Sequence, residues 1–309
     1  MEWWALNFRL LRLVIAAVLL PLGGFCAQAG ELRRDFLPSP VLAENLNFVV
    51  YVPDGYDATR ARYPVLYLLH GAGGDAGEWT SAIQVQAVAD KMIAAGDIPP
   101  TLIVMPECRG CWWVDSPRAN IETAFWADLV PGIARRFRTI ESREGRAIAG
   151  YSAGGFGAVR FALKYPDKFA AVAAFSPAVY SDLPPAQSMA RSQLPFKLAS
   201  GGFNAAMWKA RNYPALMDGY THQPNRIPMF LVSGDHDKLG IAFETALLFK
   251  TMFELQGDNV EFRVVDGGHS TEVAAKALPD ALKYVFRFLQ KPTTITAETH
   301  PPMAAAALR

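Results

Sequence analysis

The chain has 309 residues, 51% hydrophobic and 19% charged, and its 30 basic side chains nearly cancel 29 acidic ones to leave a net charge of +1. Dispersed lysines and arginines at near neutrality exclude the basic stripe that nucleic-acid binding requires, so no nucleic-acid partner is expected. The apolar content is enough for one large core, and there is no internal repeat.

Residues 1–29 carry arginines at 9 and 12, an apolar run over 13–22, and Ala27-Gln28-Ala29 ahead of Gly30. The run is shorter than the roughly 20 residues of a spanning helix. With the small-residue triplet behind it, the segment reads as a secretory signal cut after Ala29. The mature protein is then periplasmic or secreted, with no stable membrane span; an uncleaved anchor is the alternative. Phe25 is too bulky for Cys26 to fit a lipid-attachment pattern.

Strands are expected near 46–52, 64–70, 101–106, 146–151, 169–175, 227–233 and 260–265. Helices are expected near 81–95, 121–137, 154–164, 240–256 and 271–289. Apolar strands alternating with helices predict an α/β protein whose mainly parallel central sheet is covered on both faces. Its site belongs at the carboxyl ends of the strands. One domain spans 30–290, and 291–309 reads as a flexible tail. The rhythm breaks over 178–225, an expected insertion above the site. Its Phe196, Phe203, Met207, Trp208, Tyr213 and Met217 form either a hydrophobic acyl or aryl pocket or a small packed subdomain of their own.

The segment with most chemical content is Gly150-Tyr151-Ser152-Ala153-Gly154-Gly155, set between a strand and a helix. A serine on such a sharp turn has its hydroxyl exposed, and flanking glycines avoid collisions with neighbouring backbone, which nominates Ser152 as nucleophile. Serine needs a base and the base needs an orienting carboxylate. His269 follows a strand and two glycines and precedes a helix, which makes it the base candidate; His236 is the rival, and His222 and His300 sit in polar stretches. In Gly234-Asp235-His236-Asp237 either carboxylate can face the imidazole. Asp237 is assigned that role and Asp235 the capping of the turn. Asp266 closes the turn before Gly267.

An oxyanion formed in acyl transfer needs backbone donors. Ala153, after the nucleophile, supplies one, and Ala72, in His70-Gly71-Ala72-Gly73-Gly74 after a buried strand, supplies the other. Trp79, Trp112 and Trp113 are candidates for lining a substrate pocket, with plain core packing as the alternative. No cofactor or metal is required.

Once a leader is removed, Cys108 and Cys111 are the remaining cysteines. An oxidising compartment permits a disulfide between them. Free thiols come second; a metal site comes last, because no second pair completes four ligands.

Several of these motifs occur together and in order: Leu69 to Gly74 with Trp79 beyond, Val104-Met105-Pro106, Trp113 to Pro117, Asp128 to Pro131, Arg146 to Ser152, Tyr165-Pro166, Gly234 to Asp237 and Gly267-Gly268-His269. In this the chain resembles the putative-esterase family of α/β-hydrolases, which includes S-formylglutathione hydrolases, feruloyl esterases and mycolyltransferases. The resemblance implies an α/β-hydrolase fold, a Ser152, Asp237, His269 triad, oxyanion donors at Ala72 and Ala153, and a small-molecule or glycan-linked ester as substrate. A mycolyltransferase-like acyl transfer to a sugar or lipid alcohol is the alternative, and a non-catalytic binding protein on the same scaffold is a third reading. Cys108-Arg109-Gly110-Cys111 departs from the family pattern where relatives carry a small polar loop.

Overall fold

Strands with apolar side chains at consecutive positions are stable only when both faces of their sheet are covered. The computed structural model describes residues 29–108 and 110–294. Most of the expected leader (1–28) and the tail from 295 onward, His300 included, lie outside the described residues.

Among the described residues one sheet contains β1 (Glu31–Ser39), β2 (Glu44–Val52), β3 (Val65–Leu69), β4 (Leu102–Pro106), β5 (Arg146–Tyr151), β6 (Ala171–Phe175), β7 (Met229–Gly234) and β8 (Val260–Val265). Their order is β1-β2-β4-β3-β5-β6-β7-β8. β2 is antiparallel to β1 and β4, and every pair from β4 to β8 is parallel. β1 is an addition to the expected strands. Its opening Glu31-Leu32-Arg33-Arg34-Asp35 has no apolar face to announce it, and it pairs only with β2, as a charged edge strand can.

The helices are α1 (Val85–Ala94), α2 (Ile121–Ala124), α3 (Val130–Arg136), α4 (Ala153–Lys164), α5 (Ala205–Arg211), α6 (Pro214–Thr221), α7 (Ile241–Gln256) and α8 (Thr271–Phe286). A π-helical turn, Phe125–Leu129, interrupts the helix expected over 121–137, and another, Glu78–Ala82, precedes α1. Alternation along β3 sorts the core into two layers. Val65, Tyr67 and Leu69 lie in the layer that also holds the buried residues of α4 and α7, whereas Leu66 and Leu68 lie in the layer that holds those of α1 and α8.

The chain leaves β3 toward α1 on one face and leaves β5 toward α4 on the other. Adjacent strands whose connections diverge in this way open a crevice at their carboxyl ends. His70 to Gly74 and Ser152 border that crevice.

The 178–225 segment packs onto the main core through Phe196, Trp208, Tyr213 and Tyr220. Phe196 and Trp208 are buried against Trp112 and Phe156 with ring centroids 4.9 to 6.2 Å apart. Arg160 on α4 ties it down, donating to the Arg211 carbonyl at 2.6 Å while pairing with buried Glu122 at 2.9 Å. The first residues of the expected tail are held too: Thr293 and Arg62 exchange backbone hydrogen bonds at 2.9 and 3.0 Å.

Glycine is required where α4 meets the sheet. A Cβ on Gly150 would overlap the Gly154 backbone, and one on Gly154 would overlap the Leu69 carbonyl. Gly154→Ala should therefore cost at least about 3 kcal/mol. Exposed Gly219 on α6 has open space around it, so Gly219→Ala should stabilise by about 0.5–1 kcal/mol. Urea unfolding of the two variants checks this opposite sign.

Candidate active site

Tyr151 ends β5 and α4 begins at Ala153, so Ser152 must turn the chain within one residue, which it does at φ 55° and ψ −113°. A non-glycine residue at that positive φ is strained and persists only where its surroundings impose it. Here its N–H donates to the Phe175 carbonyl at 2.9 Å, and its own carbonyl accepts from Phe156 and Ala178, both at 2.9 Å.

The Ser152 hydroxyl lies 2.8 Å from His269 Nε2, and His269 Nδ1 lies 2.8 Å from Asp237 Oδ2. The sequence separates these residues widely; the carboxyl ends of β5, β7 and β8 bring them together. Asp237, with its side chain fully buried, also accepts the Leu239 N–H at 2.9 Å. The Tyr151 ring stacks on the imidazole at 5.3 Å, limiting its rotation. Burial pushes the Tyr151 phenol well above its ordinary range, and the nearby Glu78 and Asp237 carboxylates add to this, so the ring stays neutral.

Asp235 has the other role. Its Oδ1 accepts the Gly267 N–H at 3.0 Å, while His236 N–H donates to the Gly267 carbonyl at 2.9 Å, which binds the acid turn to the histidine turn. The Gly267 hydrogen bond holds the Asp235 carboxyl below the usual range. His236 is exposed beside Asp235 and Asp266, and His222 is exposed on the Asp218 carbonyl. Neither joins the Ser152 cluster.

Ala153 opens α4, so its N–H has no carbonyl one turn back and points outward at the positive end of the helix dipole. Ala72 lies across the cleft in the loop after β3. Burial lowers the His70 pKa, which keeps this histidine neutral. Its Nε2 accepts the Cys108 N–H at 3.1 Å, so Nδ1 carries the proton and donates to the Gly71 carbonyl at 2.7 Å.

The cleft, about 180 Å³ and partly open to solvent, is lined by Ser152, His269, Ala72, Glu78, Trp112 and Tyr180 among others. The 178–225 segment contributes Gln187, Ser188 and Met189; its Phe196, Phe203, Met207, Trp208, Tyr213 and Met217, read as either a pocket or a packed cluster, do not line the cleft. Of the three tryptophans, Trp112 borders the cleft. Trp79 and Trp113 correct the pocket expectation: Trp79 is fully buried against Phe175 beneath the cleft, and Trp113 Nε1 is spent on the His70 carbonyl at 3.0 Å. Cys108 and Cys111 are joined as a disulfide whose Cα atoms are 5.7 Å apart. Sequence reading missed Glu78, Tyr180 and 187–189, since none stands in a motif and only folding brings them to the serine.

A hydroxyl bonded to an imidazole whose far nitrogen faces a carboxylate can pass its proton to the ring as it attacks an electrophilic carbon. A serine on a strand-to-helix elbow, with this relay at the carboxyl ends of a mainly parallel sheet, defines an α/β-hydrolase-fold protein. The chain belongs to the Putative esterase family, whose model matches residues 39–285. It is 39% identical over 133 residues to an esterase of Mycobacterium tuberculosis, a match covering 41% of this chain and 28% of that relative's length. A solved ferulic acid esterase superposes with TM-score 0.69 at 27% identity, over 85% of this chain and 99% of the other. An S-formylglutathione hydrolase from Agrobacterium tumefaciens shares the fold with TM-score 0.66 at 20% identity, over 85% and 96% of the two chains. Among the described residues no helix is long and apolar enough to cross a membrane.

Because Trp79 is core, Trp79→Ala should cost about 3–5 kcal/mol through the cavity it leaves. Denaturant unfolding measures that loss.

Proposed function

We propose that the chain is a serine esterase that hydrolyses carboxylic esters through an acyl-enzyme, with Ser152, His269 and Asp237 as its triad. The observation that carries this reading is the pair of 2.8 Å contacts linking the three side chains, with Ser152 and His269 lining the cleft. Ser152 Oγ attacks the ester carbonyl while His269 Nε2 takes its proton, and Asp237 stabilises the imidazolium. The N–H groups of Ala72 and Ala153 hold the oxyanion. His269 then protonates the departing alcohol as the tetrahedral intermediate collapses. Water, deprotonated by the same imidazole, attacks the acyl-enzyme and releases the acid, and the proton returns to Ser152.

Substrate is proposed as a small-molecule or glycan-linked ester with a short acyl or aryl group. In support, the cleft is modest in volume and bordered by Trp112 and Tyr180. Burial pushes the Tyr180 phenol up to about 12, so it stays neutral and suits an uncharged acyl portion.

We also infer that 1–29 is a leader removed on export to the periplasm or beyond. Gly30, which a cut after Ala29 makes the new terminus, is buried: its N–H donates to Asp90 Oδ1 at 2.8 Å and its carbonyl accepts from Gln86 at 2.6 Å. A terminal ammonium there would meet a waiting carboxylate. N-terminal sequencing of protein recovered outside the cytoplasm should begin at Gly30; a start within 1–28 counts against the cut.

Fluorophosphonate labelling with adduct mapping, run beside aryl-ester hydrolysis, tests the triad. Ser152 should carry the adduct, and Ser152→Ala should lose both labelling and turnover; unchanged turnover would sink the proposal. Asp237→Asn should lower kcat by about 10⁴-fold, and Asp235→Asn by less than about tenfold. Product analysis with added alcohols distinguishes hydrolysis from acyl transfer to an acceptor.

A further inference from the structure

We propose that Glu78 is a positioning residue that clamps the oxyanion loop, holding the Gly71 amide so that the Ala72 N–H faces the reacting carbonyl. This rests on the acyl-enzyme reading above and adds a residue that no motif nominates.

Two peptide planes lead to the Ala72 nitrogen. In the first, the His70 carbonyl accepts from Trp113 Nε1 at 3.0 Å and the Gly71 N–H donates to Glu78 Oε2 at 2.6 Å. In the second, the Gly71 carbonyl accepts from His70 Nδ1 at 2.7 Å and from the Gly74 N–H at 3.1 Å. A trans peptide points its N–H opposite to its carbonyl. With the Gly71 carbonyl turned toward His70, the Ala72 N–H is sent the other way. Three of the four polar groups are bound, and the fourth is the proposed oxyanion donor.

Of these holds, Glu78 is the one made by a charged side chain from outside the loop. It opens the π-helical turn whose next residue, Trp79, is sunk in the core, so its backbone is firmly seated. The glycines of the loop admit it: a Cβ on Gly71 or Gly74 would lie 3.2 or 3.4 Å from Glu78 Oε1. A carboxylate bonded to a backbone N–H is a charge-assisted contact, roughly twice as strong as a neutral one. Burial raises the Glu78 carboxyl above the ordinary range, opposed by the Gly71 N–H and by His269. Asp237 already orients His269, so the relay does not need Glu78, and its half-buried carboxylate is instead spent on the Gly71 N–H.

The test compares Glu78→Gln, whose amide oxygen can still accept from Gly71, with Glu78→Met, which keeps the side-chain length but has no acceptor. With p-nitrophenyl acetate, Glu78→Met should lose about 10- to 100-fold in kcat, with KM changed less than about threefold. Its Ki for an aryl trifluoromethyl ketone, whose hemiketal oxyanion occupies the hole, should rise by the same factor as kcat/KM falls. Glu78→Gln should stay within about threefold of the parent in both measurements. Full kcat in the Met variant, equal losses in both variants, or a change confined to KM would overturn the clamp. Thermal unfolding confirms that each variant is folded; if Glu78→Met is not, Glu78→Ala takes its place. Turnover retained by Ser152→Ala would instead refute the acyl-enzyme reading, whatever Glu78 does.

Discussion

One backbone angle organises this molecule: the positive φ of Ser152, at 55°. An L-residue there sits in a sparsely allowed region, and the surrounding structure has to enforce it. β5 and α4 approach so closely that Gly150 and Gly154 must lack side chains, and β6 supplies the carbonyl that catches the serine N–H. The same turn presents the hydroxyl to the cleft and starts a helix whose first amide is unpaired. Strain, hydroxyl presentation and a candidate anion-binding amide thus share one cause.

Around that turn, environment divides the carboxylates into different duties. Asp237 is buried and bonded both to His269 and to the Leu239 N–H, which keeps it aimed at the ring. Asp235, two residues earlier and exposed, is spent on the Gly267 amide, so it serves the loop and not the imidazole. Glu78 enters from the opposite side of the cleft and binds the loop after β3. Their chemistry is common to all three, and their geometry is not.

The cleft walls come from parts of the chain that pack for their own reasons. Trp112 closes an aromatic cluster with Phe156, Phe196 and Trp208, and in doing so ties the insertion to the helix that begins beside the serine. The Cys108 amide reaches His70, so the disulfide-bearing loop and the proposed oxyanion loop are joined through one neutral imidazole. Shape at the acyl side therefore depends on segments that carry little of the family pattern.

Much of this was legible in the residues. Strand and helix alternation foretold the sheet, because period and apolar run length are local properties, and the elbow glycines, His269 and the Gly234 to Asp237 turn stood out because tight turns restrict residue type. β1 was hidden, since its first six residues are exposed or half-buried at an edge and carry no apolar pattern. Asp235 and Asp237 share a turn, and the assignment of Asp237 to the imidazole and Asp235 to the turn agrees with the contacts each makes. Local sequence could not separate Trp79 and Trp113 from Trp112, since an indole is equally at home in a core or a pocket wall. Glu78 gave no signal at all. Sequence alone determined the fold class and the turns that carry the serine and histidine, because backbone conformation limits which residues fit there. Tertiary structure alone decided which tryptophan borders the cleft and what holds the loop after β3, because those depend on distances between strands far apart in the chain.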